Sequence, residues 1–520
     1  MRTATFFLCV AALVCAGAQR VSSMVVFIPL DDRPVTRQLP AMLGAIAGEN
    51  VAMPPRGLLG RYLSPGDPEA IRSWLQSPQT QAADAFVVST DMLAYGGLVT
   101  SRVPGTSIGD AISRLRVLEA LHERKPSSWI AAFGTIMRLA PTAVPSIGSA
   151  ADFFAAGPHV AQLQAYANLP DPPRTAEQTA TAQRLREQIG TSLLNTYLQT
   201  RERNRQVDLY VLSMAAQGTV DRVVLGQDDA GPEGLHLRDL RALNDAVARL
   251  GIADRTSIEP GADELGMALT AAAFARGVDW TPSVSVRYSR ADGATFNDPL
   301  EYAPIDVTVN SLISLCGARR NDRHGDIVLY VRVPPTNAGD DSAFLAEITD
   351  RARRAGTAVA DVTFLANTYD LQTAFVDALI NAGIADKLDA YASWNTAANT
   401  VGTALAEAIA AAVGRRTGKY NPVAHAQFML DRYIDDYAFH AFVRPELIAR
   451  LDAQGINDHT YLLSDAAVGT NLANRELLWP RALSLLERIY PQYGNAGLVM
   501  TLPWDRTFET ELDVRLLPKS

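Results

Sequence analysis

An α/β fold is predicted for this chain, and two observations carry the prediction. From residue 24 to about 400, short apolar or β-branched runs alternate with longer Ala-, Leu- and Arg-rich segments of helical period. That pattern describes strands joined by crossover helices into a mostly parallel sheet. Hydrophobic residues make up 48% of the 520 and charged residues 20%, a composition that builds a substantial core and excludes a disordered chain. The number of strands predicts a barrel-like (β/α) domain, with a doubly wound open sheet as the alternative.

In chain order the expected strands are Met24–Leu30, Ala85–Thr90, Trp129–Thr135, Leu209–Ser213, Arg222–Gly226, Thr256–Glu259, Ser283–Tyr288, Ile327–Val333, Ala358–Phe364 and Ala390–Trp394. Leu237–Leu250, Gly266–Arg276 and Asp341–Ala355 have helical period between them. A helical insertion is expected near 157–205, where Pro170, Pro172 and Pro173 precede a long polar helix. The α/β domain then covers 19–420. Residues 421–520 form a smaller, mainly helical C-terminal region with aromatic-rich helices, ending in an extended Leu498–Leu517.

Ahead of the first strand, residues 1–18 read as a secretory signal: Arg2 as the positive flank, an apolar run from Phe6 to Val14, then Ala16-Gly17-Ala18. A secreted or periplasmic location is expected. Cys15 is where a lipid anchor would attach, but Val14 is bulkier than such a site prefers, which favours a free protein. No later apolar run approaches the roughly 20 residues of a membrane span. Cys316 is the one cysteine beyond the signal and has no partner for an internal disulfide; after Ser311-Leu312-Ile313-Ser314-Leu315 it reads as a buried small hydrophobe.

The net charge is −9, and the arginines are dispersed among carboxylates with no basic run longer than Arg319-Arg320 or Arg353-Arg354. Nucleic acid is therefore excluded as a partner, and a small polar substrate is favoured. Histidines at 122, 159, 236, 324, 425, 440 and 459 give no HxxxH or HxH spacing, and GxSxG, GxxxxGK[ST] and GxGxxG are missing. These absences weigh against histidine-zinc centres, familiar serine hydrolases, P-loop enzymes and dinucleotide oxidoreductases, leaving carboxylate chemistry.

Ligands of parallel α/β sheets bind at the carboxyl ends of strands, so polar residues that directly follow apolar runs are the candidates. Asp31, Asp32 and Arg33 follow the first strand, stiffened by Pro34; Asp32 could equally cap the next helix. Asp91 follows the second within Ser89-Thr90-Asp91-Met92-Leu93-Ala94-Tyr95-Gly96-Gly97, where the glycine pair either admits a ligand to the backbone or makes a turn. Arg138 follows the third. Gln227, Asp228 and Asp229 form the strongest candidate, because adjacent carboxyls in a poorly hydrated cleft repel, raising one pKa and setting a proton donor beside an acceptor. Asp263 and Glu264 end a strand and open a helix, where the helix dipole alone would favour them. Trp394 offers an aromatic plane, and Asn395 and Asn399 share a helix face at i, i+4. Near the end, Pro503-Trp504-Asp505-Arg506-Thr507-Phe508-Glu509 either covers the cleft or seals the C-terminal region.

The segments PLDDRPVT (29–36), STDMLAYGGL (89–98), GQDDAGP (226–232), PGADELG (260–266), SWNTAANT (393–400) and PWDRTFE (503–509) together resemble an uncharacterised family of secreted bacterial proteins of about this length. The resemblance spans nearly the whole chain beyond the signal, implies one shared architecture and carries over no catalytic residue. Separately, the acid pairs of GQDDAGP and PGADELG are similar to those of substrate-assisted hexosaminidases, in which one carboxyl orients the acetamido group and the other is the acid.

The expected function is a glycoside hydrolase of a bacterial or environmental glycan. Asp229 or Glu264 would be the general acid, Asp228 or Asp32 the base, nucleophile or orienting group, and Asp31, Arg33, Asp91, Arg138, Gln227, Asp263, Trp394, Asn395 and Asn399 would bind the carbohydrate. No cofactor is required. The alternatives are a metal-dependent hydrolase of an ester, amide or phosphate, with calcium or magnesium on Asp31, Asp32, Asp91, Asp228 and Asp229, and a non-catalytic glycan-binding protein.

Overall fold

The structure, a computed structural model, describes residues 24–142, 159–172, 174–335, 340–366 and 369–519. The signal at 1–18 lies outside them, as do the first two residues of the expected insertion. The fold is α/β with parallel sheets, and the strands lie in two open sheets, the doubly wound arrangement, rather than around one barrel. The first sheet has the order β2-β1-β3-β4-β5-β6, with β1 Met24–Ile28, β2 Asn50–Ala52, β3 Ala85–Ser89, β4 Trp129–Ile136, β5 Arg222–Gln227 and β6 Thr256–Pro260. The second has β8-β7-β9-β10-β11, with β7 Ser283–Tyr288, β8 Arg319–Arg320, β9 Ile327–Arg332, β10 Thr357–Asp361 and β11 Ala390–Ala392. Counted within itself, each begins 2-1-3-4-5, a doubly wound order whose ligand site lies where the winding reverses.

Strand alternation explains the layering. Val25 and Phe27 point into one core while Val26 and Ile28 point into another, so β1 reads as a continuous apolar run because both faces are covered. The core reached by Val25 and Phe27 also takes Val284, Leu329 and Ala358 from the second sheet. The helices Leu39–Ala47, Leu265–Gly277, Ile305–Leu315 and Ala397–Thr417 fill it between the two sheets. Separate outer layers cover the far faces, giving a helix–sheet–helix–sheet–helix sandwich. Ala397–Thr417 is long and apolar enough to cross a bilayer, but 94% of its apolar window is buried in the protein; a helix apolar all round belongs in a core. Its small residues permit that close packing: a Cβ on Gly402 would meet Glu264 Cγ at 2.5 Å.

Leu209–Ser213 is a correction to the expected strands. It lies within the helix Thr191–Ala216, whose Val207, Val211 and Ala215 recur at i, i+4 and bury one face against the first sheet's outer layer. A five-residue apolar run has no period long enough to separate strand from buried helix. Between β4 and β5 the described chain is helical, Val160–Ala167 and Ala176–Ile189 preceding that long helix. Cys316 is buried. After 421, the chain is helical up to a hairpin of β12 Tyr493–Thr501 and β13 Glu511–Pro518.

The two sheets differ at their carboxyl ends. In the second, Arg332 bridges Asp341 and Asp361, and Ser393 N–H donates to Asp436 at 2.7 Å. Arg432 pairs with Asp431 and Asp436 beneath the C-terminal helices. Among the described residues, ion pairs and hydrogen bonds tie the ends of β9 and β10 and the start of the β11 loop to their neighbours, whereas the first sheet's ends open into a cavity.

Candidate functional site

A cavity of about 280 Å³ lies at the carboxyl ends of β1, β4, β5 and β6, with β11's following loop and the C-terminal loop completing its wall. Arg33, Arg138, Gln227, Asp228, Asp229, Asp263, Asn395 and Asn399 all line it. Eight of the thirteen expected site residues therefore converge from five segments of the chain.

Arg33 occupies one wall. Its Nε lies 3.0 Å from both Asp31 carboxylate oxygens, Nη1 donates to Asp263 Oδ2 at 3.0 Å, and Nη2 donates to Asp31 at 2.8 Å and Asp263 at 2.6 Å. Burial opposes the guanidinium's charge, but Asp263 and Asp31 outweigh it and push its pKa well up. This doubly bidentate clamp joins the end of β1 to the β6 loop and leaves Asp31 behind the wall.

Asp228 and Asp229 occupy another. Asp228 N–H donates to Ile136 O at 3.1 Å, extending the β4–β5 ladder by one bond and fixing where the carboxyl emerges. The Asp228 carboxyl accepts from Arg102 Nη2 and is 5% exposed, while the Asp229 side chain is 36% exposed and meets Arg138 Nη1 at 3.4 Å. Burial raises the Asp228 pKa, Asp229 adds to the rise, and Arg102 opposes it. Gln227 Nε2 donates to Asp228 O at 2.8 Å, and its buried Oε1 has no partner among the described residues.

The floor comes from β6. Gly261 has φ +99°, and a Cβ there would fall 1.9 Å from Glu264 Oε1, so only glycine fits. Glu264 is fully buried under this turn; burial pushes its pKa well up, and Asn399 Nδ2 donates to it at 2.6 Å. Asn399 Oδ1 in turn accepts from Asn395 Nδ2 at 2.6 Å. Glu264 thus orients the two amides from below. Glu301, which also lines the cavity, accepts from the N–H of Ala398 at 2.5 Å; burial and then Asp298 raise its pKa to about 8.

Three expected contacts take a different place. Trp394 is buried in the core between the sheets, its Nε1 donating to Thr403 at 3.2 Å, so it offers no face to the cavity. The aromatic wall is instead Trp504, Tyr62 and Phe508. Asp32 accepts from Trp504 Nε1 at 2.6 Å and Arg56 Nε at 3.1 Å and borders a neighbouring groove; it holds the wall rather than facing the cavity. Asp91 lies beneath the cavity, accepting from Thr135 N–H at 2.8 Å. The Gly96-Gly97 turn admits another loop: Gly66 N–H donates to Gly96 O at 2.8 Å.

Trp504 is held in strain. It has φ +61° and Asp505 +51°, left-handed values that cost on the order of 1 kcal/mol or more for residues with a Cβ. Its indole is secured by Asp32, by Arg33 and Arg506 at 4.8 and 4.5 Å from the ring centroid, and by Tyr62 stacked at 5.1 Å. Arg102, Tyr62, Thr142 and Glu301 are cavity residues with no local sequence signal, because none follows a strand within a charged or glycine-rich motif. Among the described residues, no three His, Cys, Asp or Glu side chains are grouped to hold a metal ion.

Burial raises the Asp91 pKa to about 7. An ordinary unfolded aspartate titrates near 3.9, so the neutral folded form is favoured below that pH and its contribution is lost as pH rises through 7. Asp91→Asn keeps an acceptor for Thr135 and removes the titration. Its unfolding free energy relative to wild type is expected to rise between pH 4 and 8 by on the order of 3 kcal/mol. Urea unfolding across that range checks this, and a pH-independent difference would show that Asp91 ionises normally.

No curated protein matches the chain. The family model described as a protein of unknown function, DUF4127, matches residues 25–513, from the first residues of β1 into β13. The chain belongs to the DUF4127 family.

Proposed function

We propose that the protein is an exported glycoside hydrolase that uses Asp228 and Asp229 as an acid/base pair on a single sugar ring seated in the cavity. The observation that carries this reading is the meeting of two adjacent carboxyls, three hydroxyl-directing amides and an aromatic wall in one small pocket. Drug-sized ligands occupy roughly 300–1,000 Å³, so about 280 Å³ suits a smaller guest such as a monosaccharide unit.

Burial favours the neutral form of Asp228 against the opposing Arg102, while Asp229 faces water, so Asp228 takes the general-acid role and Asp229 that of base or nucleophile. Gln227 Oε1 and the Asn395 and Asn399 amides direct hydroxyls. Trp504, Tyr62 and Phe508 cover the apolar ring edges, and Asp263 holds Arg33 in the wall. A glycan-binding protein without turnover would use the same amides and aromatics; the acid pair with separated environments favours chemistry.

The test is incubation of the full chain with a panel of aryl glycosides and oligosaccharides, with products resolved by chromatography and anomeric NMR. Hydrolysis of one glycoside class is expected. Failure on every glycoside, alongside hydrolysis of an ester, amide or phosphate restored by one metal after EDTA, would replace this reading with the metal-dependent one.

A further inference from the structure

We propose that Arg102 and Arg138 form a subsite for a carboxylate on the substrate, so that the ring bound in the cavity is an acidic sugar of the uronate class. This rests on the reading of the pocket as a sugar site and goes further by naming the sugar's charge.

Of the four cavity arginines, Arg33 is saturated by Asp31 and Asp263, and Arg506 is turned onto Glu509 at 2.7 Å. Arg102 is paired with Asp228 through Nη2 alone and Arg138 meets Asp229 through Nη1 alone, so each keeps a further guanidinium nitrogen for another acceptor. Arg102 Nη1 and Arg138 Nη2 both donate to the Thr142 hydroxyl, each at 3.2 Å. Two guanidiniums therefore converge on one neutral acceptor. Arg102 is 5% exposed, and among the described residues its buried Nε has no hydrogen-bond partner. Arg138 donates Nε to Ala140 O at 3.0 Å and reaches a carboxylate only at 3.4 Å, on the more exposed Asp229. Each terminal guanidinium nitrogen carries two hydrogens, so both side chains keep N–H groups after these contacts.

Asp228 and Asp229 offset part of the repulsion between these like charges, and a substrate carboxylate between the two guanidiniums would offset the rest. Burial, and then Arg102, lower the Arg138 pKa against the opposing pull of Asp228 and Asp229, so the wall's own carboxylates compensate the pair only in part. A carboxylate suits the place better than a phosphate. Its two coplanar oxygens match the guanidinium fork, and it brings one charge, whereas a phosphate monoester brings nearly two beside Asp228 and Asp229.

The test is calorimetric titration of the full chain with D-glucuronate, D-galacturonate, the two parent hexoses and glucose 6-phosphate at low salt. A charge-assisted hydrogen bond contributes about 1.5–3 kcal/mol, so one uronate is expected to bind about ten- to a hundredfold more tightly than its parent hexose. Arg138→Gln is expected to remove most of that preference while hexose binding persists. Arg138→Lys, which keeps charge without the fork, is expected to recover only part of it.

Equal binding of uronate and hexose, no binding of either uronate, tighter binding of glucose 6-phosphate, or full preference in both Arg138 variants would overturn the subsite. The two readings fail separately. Uronate preference without hydrolysis of any glycoside retains the subsite and removes the hydrolase, while hydrolysis restricted to neutral glycosides does the reverse.

Discussion

Asp228→Asn is expected to reduce turnover of the hydrolysed glycoside by a factor of about 10²–10⁴, the range that a positioned general acid contributes. The loss should fall on kcat more than on KM, because an asparagine carbonyl can still accept from Arg102 and the wall keeps its shape. The pH profile gives the sharper reading. A general acid works only while protonated, so wild-type activity should fall as pH rises through the elevated Asp228 pKa. In the variant that alkaline limb should disappear from whatever activity remains. Asp229→Asn is expected to lose turnover to a similar degree while keeping the limb. Combining the two should cost much less than the product of their effects, since members of one catalytic unit are non-additive. Turnover of Asp228→Asn within a few-fold of wild type across pH 4–9 would remove it from the acid role and return attention to Glu301, the neighbouring carboxyl held protonated to about pH 8.

The positions of these acids could be read from sequence because they sit one or two residues beyond a buried strand, and in a parallel sheet that location is fixed by the ladder itself. The number of sheets could not. Strands covered on both faces give the same apolar runs in a barrel as in two open sheets, and the division depends on β6 and β7 not pairing, which no residue pattern announces. Trp394 and Asn395 show the same limit at single-residue scale. Both follow β11, but Asn395 takes φ +55° and faces the cavity while Trp394 turns into the core. Trp504 could be flagged by composition, yet its contact with Asp32 spans 472 positions and needs the C-terminal loop to fold over β1. Arg102, which follows β3, and Thr142, which follows β4, are legible only once those strands and β5 are placed side by side.

The stability of the site should rest most heavily on Arg33. Arg33→Met is expected to destabilise the fold by about 3–5 kcal/mol near neutral pH, the cost of stranding charge in a buried pair. Methionine fills most of the volume but leaves Asp31 and Asp263, both under 10% exposed, facing the same space without a countercharge. It also frees one side of Trp504, whose left-handed backbone then has fewer contacts to hold it. The pH dependence separates charge from packing. If stranded carboxylates are the cause, protonating them relieves the variant, so its deficit should shrink as pH falls from 7 toward 4. A packing defect would be indifferent to pH. Arg33→Lys should lie between, since a point charge cannot serve both carboxylates bidentately. Urea midpoints for the three proteins at pH 4.5 and 7.5 decide the matter. A Met variant within about 1 kcal/mol of wild type at the higher pH would mean that water replaces the guanidinium, and that the end of β1 and the β6 loop are held together by their packing.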